Sequence, residues 1–227
     1  NSNLISTINL LNHGPKFKKF IHIGTSEMYG LQKKVPFDVN EIPNPMSPYS
    51  LAKLSSESYV RLKARQSKLN IACIRPFNTF GPYQSEKAII PEMIIKCLRG
   101  EEIRTTLGEQ TREFNFIDNI IDGFLLITKK VNNEDTPINL GSNLPIKIKD
   151  LVKKIHFLTN SNSILKIGSI KYRPNEIWKM QANNKIIINK LKWKPQIDFN
   201  TGIKKTITWY KSFLKLYNKE NLFIHLQ

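Results

Sequence analysis

Groups able to move protons fall at two places in the first quarter of the chain: Thr25, Ser26 and Glu27 close a short apolar run, and Tyr49 stands four residues before Lys53. Phe20-Ile21-His22-Ile23 reads as a buried strand, bounded upstream by Pro15 and Lys16 and downstream by Gly24. The two hydroxyls and the carboxylate then sit at a strand's C-terminal edge, where open parallel α/β sheets bind ligands. Ser47 suits an N-cap and Pro48 the first helical position, which puts Tyr49 in the first turn and Lys53 one turn later on the same face. Unit charges about 4 Å apart at an effective dielectric of about 20 interact by roughly 4 kcal/mol, so an ammonium beside a phenol favours the phenolate. A phenol so placed can serve as a base. Tyr and Lys four apart also occur on many helices without any chemical role; the Thr-Ser-Glu run upstream sets this pair apart.

The elements that must hold these groups follow from periodicity. Leu4, Ile5, Ile8, Leu10 and Leu11 form a helical stripe before the His13-Gly14-Pro15 stop, and a long amphipathic helix is expected from Pro48 to about Lys68. Ile71–Ile74 reads as the next buried strand. It runs into Arg75-Pro76-Phe77-Asn78-Thr79-Phe80-Gly81-Pro82, where two prolines and a glycine force an irregular path. A helix over Ala88–Leu98, a short strand over Ile103–Leu107 and an alternating strand over Thr111–Ile117 come next. Asp118 is expected to cap a helix to about Lys130, and Pro137–Leu140 to form a strand closed by Gly141. Further helices are expected over Asp150–Leu158 and from Thr201 to about Tyr217, with a strand at Ile164–Ile167. Trp178, Trp193 and Trp209 have no special spacing and read as packing residues.

FIHIGTSEMYG (20–30), SPYSLAK (47–53), RPFNTFGP (75–82), TREFNFID (111–118) and NLG (139–141) occur in the order found in the extended short-chain dehydrogenase/reductases, the NAD-dependent epimerase/dehydratase family, which the chain resembles over nearly its whole length. The resemblance implies an α/β fold: the C-terminal part of a doubly wound, Rossmann-type parallel sheet domain plus a smaller α/β substrate domain. Residues 1–78 and 112–142 would form the second half of the NAD-binding domain, and 79–111 with 143–227 the nucleotide-sugar domain. No glycine-rich dinucleotide loop precedes the motifs, so an N-terminally truncated piece of a longer enzyme is expected, and no turnover by residues 1–227 alone.

By the same resemblance NAD is the cofactor, and Thr25, Ser26, Glu27, Tyr49 and Lys53 are catalytic. Tyr49, Lys53, Pro76 and Phe77 would touch the cofactor, while Asn78, Arg112, Arg173 and Glu176 would touch the nucleotide-sugar substrate. Relatives often place an acidic residue where this chain has Asn183 or Asn184, a departure that bears on the base and ribose contacts. Glu27 favours a 4,6-dehydratase acting on a nucleotide-activated N-acetylhexosamine or hexose, because removal of the C5 proton needs a base. A uridine diphosphate glucuronate decarboxylase, a 4-epimerase and a non-enzymatic binding fragment are the alternatives. A homodimer through the helices at 4–12 and 48–68 is also implied.

Composition limits the remaining choices. The formal net charge of +17 is spread over helix faces and turns without an arginine-rich arm or stacking aromatics, which argues against nucleic acid as partner. A positive field would instead help gather a doubly charged sugar nucleotide. Cys73 and Cys97 lie in apolar segments and match neither a disulfide framework nor metal spacing, so no metal is expected and a cytoplasmic location is. No apolar run reaches membrane-span length, so no membrane partner is expected.

Overall fold

The computed structural model describes residues 2–132 and 136–220, with side chains to residue 215. The elements begin α1 (Leu4–His13), β1 (Phe20–Ile23), a 3-10 helix (Ser26–Tyr29), α2 (Pro48–Ser67), β2 (Ile71–Pro76) and β3 (Thr79–Phe80). Then follow α3 (Ile89–Arg99), β4 (Ile103–Thr105), β5 (Thr111–Glu113), β6 (Asn115–Phe116), α4 (Ile117–Lys130) and β7 (Ile138–Leu140). The remainder holds β8 (Pro145–Lys147), α5 (Ile148–Thr159), β9 (Leu165–Ile167), β10 (Lys179–Met180), α6 (Lys185–Leu191) and α7 (Phe199–Glu220).

Two compact units result, one from Asn1–Thr79, Arg112–Pro145 and Ile177–Gln196, the other from Phe80–Thr111, Ile146–Glu176 and Ile197–Gln227. In the first, a parallel sheet of order β1-β2-β7 pairs Phe20 with Ile71 and Ile74 with Ile138. β2 is the middle strand and is buried from Ile71 through Arg75, as expected of a strand covered on both faces. Its alternation sorts the core. Ala72 and Ile74 join Ile127, Ile138, Leu140, Ile187 and Trp193 on the α4 and α6 side, while Ile71 and Cys73 join Val60 beneath α2. Helices therefore cover both faces of a parallel sheet, the α/β, Rossmann-type arrangement expected.

Residues 177–196 pack with the first unit, whereas the sequence reading grouped everything from 143 onward with the second. The reason is local: Phe37 bridges Ala182, and Ile187, Leu191 and Trp193 fill the core against α4 and β7. In the second unit α3, α5 and α7 pack together beside the parallel pair β4–β9.

Two expectations need correction. The strand over 111–117 is broken in two, because Asn115 N turns to donate to the Asn78 carbonyl at 2.8 Å. Asp118 is not a cap, since α4 starts at Ile117 with Phe116 in the N-cap position; its carboxylate lies in the first turn, where it complements the helix dipole. Trp178 is half exposed, whereas Trp193 is buried. Cys73 and Cys97 are buried free thiols.

Candidate active site

At the C-terminal ends of β1 and β2 lies a cavity of about 240 Å3, lined by Ile23 to Glu27, Tyr49, Lys53 and Pro76 to Thr79. Backbone bonds carry the sheet order into its walls: Gly24 N donates to Ile74 O at 2.7 Å, and Phe77 N to Leu140 O at 3.0 Å.

Thr25 is extended and stops the strand; its Oγ1 accepts from Glu27 N at 3.2 Å and so caps the 3-10 helix. The hydroxyl proton remains available for donation into the cavity. Ser26 is 2% exposed and its Oγ donates to Met180 Sδ at 3.6 Å, while Glu27 is exposed at the cavity's edge. After this turn the chain must reverse, which Gly30 permits: its φ is +58°, and a Cβ there would collide with the Asn44 carbonyl.

On the facing helix, Ser47 and Ser50 form a reciprocal capping box, each hydroxyl accepting from the other's backbone N–H at 3.1 Å. With Pro48 behind it, this cap fixes Tyr49 in the first turn, the residue 45% exposed. One turn on, Lys53 Nζ donates to the Ile23 carbonyl at 2.8 Å, and partial burial holds its pKa below the ordinary lysine value. Phenol, ammonium, hydroxyl and carboxylate thus share one cavity. That set can take a proton from an alcohol and from a second, nearby acid.

Beneath the cavity a buried polar chain ties these elements together. Arg75, on the α2 side of β2, forks onto Glu57 of α2 with Nη2–Oε1 at 2.7 Å and Nε–Oε2 at 3.1 Å. Its Nη1 donates to Tyr29 Oη at 2.8 Å, and Tyr29 donates to Asn139 Oδ1 at 2.7 Å. Asn139 Nδ2 in turn donates to Phe37 O at 2.8 Å. Burial works against the Arg75 charge, but the Glu57 bonds and charge outweigh it and raise its pKa. His22, also on the α2 side, is pushed down to about 4 by burial, with Glu57 opposing and Lys53 adding.

Of the residues expected to form the site, Thr25, Ser26, Glu27, Tyr49, Lys53, Pro76, Phe77 and Asn78 are brought together. Phe77 is 1% exposed and packs its ring against Tyr29 and Phe37, so it serves the core as well as the cavity. Asn78 Nδ2 lies 4.0 Å from Met180 Sδ. Arg112 stands half-buried on β5 and is not among the lining residues. Arg173 and Glu176 belong to the second unit, where Glu176 N donates to Arg173 O at 3.2 Å. Asn183 and Asn184 have local work: Asn183 Oδ1 accepts from Lys185 N at the start of α6, and Asn184 Nδ2 donates to Gly141 O. Sequence reasoning missed Glu57, Arg75, Tyr29 and His22 as site-shaping residues. An arginine ending an otherwise apolar strand, and a glutamate one turn beyond Lys53, were the available signals.

The human dTDP-D-glucose 4,6-dehydratase is 29% identical over 211 residues, covering 88% of this chain and 58% of that protein. The dTDP-glucose 4,6-dehydratase of Haemophilus influenzae is 30% identical over 206 residues, covering 85% of this chain and 60% of the relative. The chain thus spans a little under two thirds of the length of these curated relatives. Among solved structures, the Thermotoga maritima UDP-glucose 4-epimerase with UDP-glucose superposes with a TM-score of 0.84 at 28% identity, over 93% of this chain and 69% of that one. A family model described as GDP-mannose 4,6 dehydratase matches residues 1–206. Because that match takes in every segment lining the cavity, the chain belongs to the GDP-mannose 4,6 dehydratase family, within the extended short-chain dehydrogenase/reductases.

Proposed function

We propose that the protein is an NAD-dependent nucleotide-sugar 4,6-dehydratase, removing water across C5 and C6 of a nucleotide-activated N-acetylhexosamine or hexose through a 4-keto intermediate. The observation that carries this reading is Glu27, a carboxylate lining the same cavity as Thr25, Tyr49 and Lys53. A 4-epimerase has no use for a second base beside the phenol; a dehydratase does.

The lining fits the nicotinamide end of the cofactor: the lysine ammonium can meet ribose hydroxyls, Pro76 offers an apolar wall, and the cavity admits a group of that size. When bound, NAD supplies the acceptor and donor of hydride that the sugar chemistry needs. Tyr49 takes the proton of the sugar 4-hydroxyl, and Thr25 donates its hydroxyl proton in a hydrogen bond to the same oxygen. Lys53 places a positive charge one helical turn from the phenol. Glu27 then removes the C5 proton, made acidic by the adjacent ketone, and returns it to the C6 hydroxyl, which leaves as water as the C5–C6 double bond forms. The buried Ser26 hydroxyl, committed to Met180, holds the strand-end turn in place.

The first unit would carry the dinucleotide, and Arg173 and Glu176 of the second would meet the nucleotide diphosphate and ribose, with Arg112 and Asn78 as further substrate contacts. A planar arginine fork suits phosphate oxygens. A homodimer through α1 and α2 fits their exposed Ile5, Leu10, Leu51 and Leu62. A cytoplasmic setting fits the free thiols. Among the described residues, no helix is long and apolar enough to cross a membrane.

The test is product mass. The protein expressed from its complete reading frame is incubated with NAD and dTDP-glucose, UDP-N-acetylglucosamine or UDP-glucuronate. Loss of water that disappears in Glu27→Gln supports the proposal. Unchanged mass with inverted stereochemistry at C4 would make the protein an epimerase, and loss of carbon dioxide from the uronate a decarboxylase.

A further inference from the structure

Lys53 and Glu57 are four residues apart on α2, the spacing at which opposite charges pair along one helix face. They do not pair. Lys53 reaches instead to the Ile23 carbonyl at 2.8 Å, at the cavity. Glu57 stays close by: a Cβ on Gly24, the residue after Ile23, would stand 3.0 Å from Glu57 Oε2. The lysine's resting acceptor and the Glu57 carboxylate therefore flank a single peptide link. A partly desolvated ammonium beside a 1% exposed carboxylate has every electrostatic reason to swing onto it.

What prevents the swing is occupancy. Arg75 Nη2 and Nε take one Glu57 oxygen each, in the fork geometry that satisfies a carboxylate from one side, with side chains 3% and 1% exposed. Tyr29 and the Val39 carbonyl hold the far side of the guanidinium, at 2.8 and 3.3 Å, and its carbon lies 5.0 Å from the Tyr29 ring centre. The arginine cannot turn away without giving up those bonds.

We propose that Arg75 is a positioning residue for Lys53: by claiming both oxygens of Glu57 it denies the lysine its i+4 partner and leaves the ammonium at Ile23 O, facing the cavity. Arg75 itself is not among the residues lining that cavity. The inference rests on the reading of Lys53 as a working group of the site, but its test reads the lysine directly, so a wrong enzyme assignment leaves the result interpretable.

The test uses the 227-residue chain with lysines reductively 13C-methylated and the Lys53 resonance assigned by its absence in Lys53→Arg. The titratable and charged groups around the lysine are His22 on β1, Glu57 and Tyr49 on α2, Arg75 on β2, and Tyr29 and Glu27 on the 3-10 helix. In Arg75→Met, Lys53 is expected to fold back onto Glu57, so its titration midpoint rises by about 1 pH unit or more. Removing both charges in Arg75→Met/Glu57→Leu should return the midpoint to that of the parent chain. Arg75→Lys keeps the buried charge and, with it, the fold, but cannot fork. It leaves one Glu57 oxygen open, and an intermediate rise is expected. If Arg75→Met does not fold, Arg75→Lys with Glu57→Gln as its control decides the matter. An unmoved Lys53 resonance in folded Arg75→Lys, or a midpoint equally displaced in the double variant, would overturn the proposal.

Discussion

Acidification from pH 7 to 5 should destabilise the first unit through one residue, His22. Its ring is 6% exposed and its Nε2 meets no hydrogen-bond partner among the described residues. Burial, opposed by Glu57 and helped by Lys53, lowers its pKa from 6.5 to about 4. At pH 7 the imidazole is mostly neutral in both folded and unfolded chains, so unfolding takes up only a small fraction of a proton. Below 6.5 the unfolded chain binds a proton that the folded chain refuses until about 4; stability is therefore present above 6.5 and lost as pH falls through that window. At about 1.4 kcal/mol per pH unit the whole window amounts to about 3 kcal/mol, and the stretch down to pH 5 to about 2 kcal/mol. Urea titrations at fixed ionic strength, followed through the methyl resonances of Ile71 and Ile74, read the first unit alone. His22→Leu fills the same apolar space without a titrating group, so its stability should fall less than that of the parent between pH 6.5 and 5, by the His22 contribution. Equal slopes for parent and variant over that range, where every other titrating group is common to both, would refute the reasoning.

Two further substitutions probe the frame around the cavity. Gly141→Ala would drive its new methyl into Glu113 Oε1 and to 3.0 Å from the Ala182 methyl. Glu113 is fully buried and accepts from Ala182 N at 2.7 Å, so it cannot yield; a loss of about 3 kcal/mol is expected in thermal unfolding, and an unchanged melting temperature would contradict it. Ser47→Ala removes one half of the capping box that fixes Tyr49, at about 1 kcal/mol. Amide exchange should quicken in the first turn of α2, and a rate equal to that of the parent chain would show the cap to be idle.

The strand–turn–helix frame was legible because its signals are local. Phe20–Ile23, Ile71–Ile74 and the Ser47-Pro48 helix start are written in consecutive residues, and the structure keeps all three, with β2 running two residues further, to Pro76. Asp118 misled because a capping residue type met a helix whose N-cap lies two residues earlier, at Phe116; type alone does not fix phase. The single strand expected over 111–117 failed for a different reason. Its alternation is real, but Asn115 N finds Asn78 O, 37 residues away, and no window of sequence contains that partner. The buried chain from Glu57 to Asn139 was illegible for the same cause, since its members come from four elements and meet only in three dimensions.

That chain also answers how a cavity built at strand ends keeps its shape. Past Ile23 and Pro76 the sheet no longer dictates direction, and the reacting groups sit on a 3-10 turn, a helix start and an irregular Pro-Phe-Asn path. Apolar packing of Phe37 against Tyr29 and Phe77 supplies cohesion, but contact between rings is tolerant of rotation. Hydrogen bonds to charged groups are directional, and where water is excluded they are costly to leave unmade. A bidentate pair at 2.7 and 3.1 Å, extended through a phenol to an amide, therefore fixes the orientation of α2 against β2 and of the 3-10 turn against β7. The polar core lies under the ligand edge of the sheet because that is where the backbone ladder stops giving direction and side chains must take over.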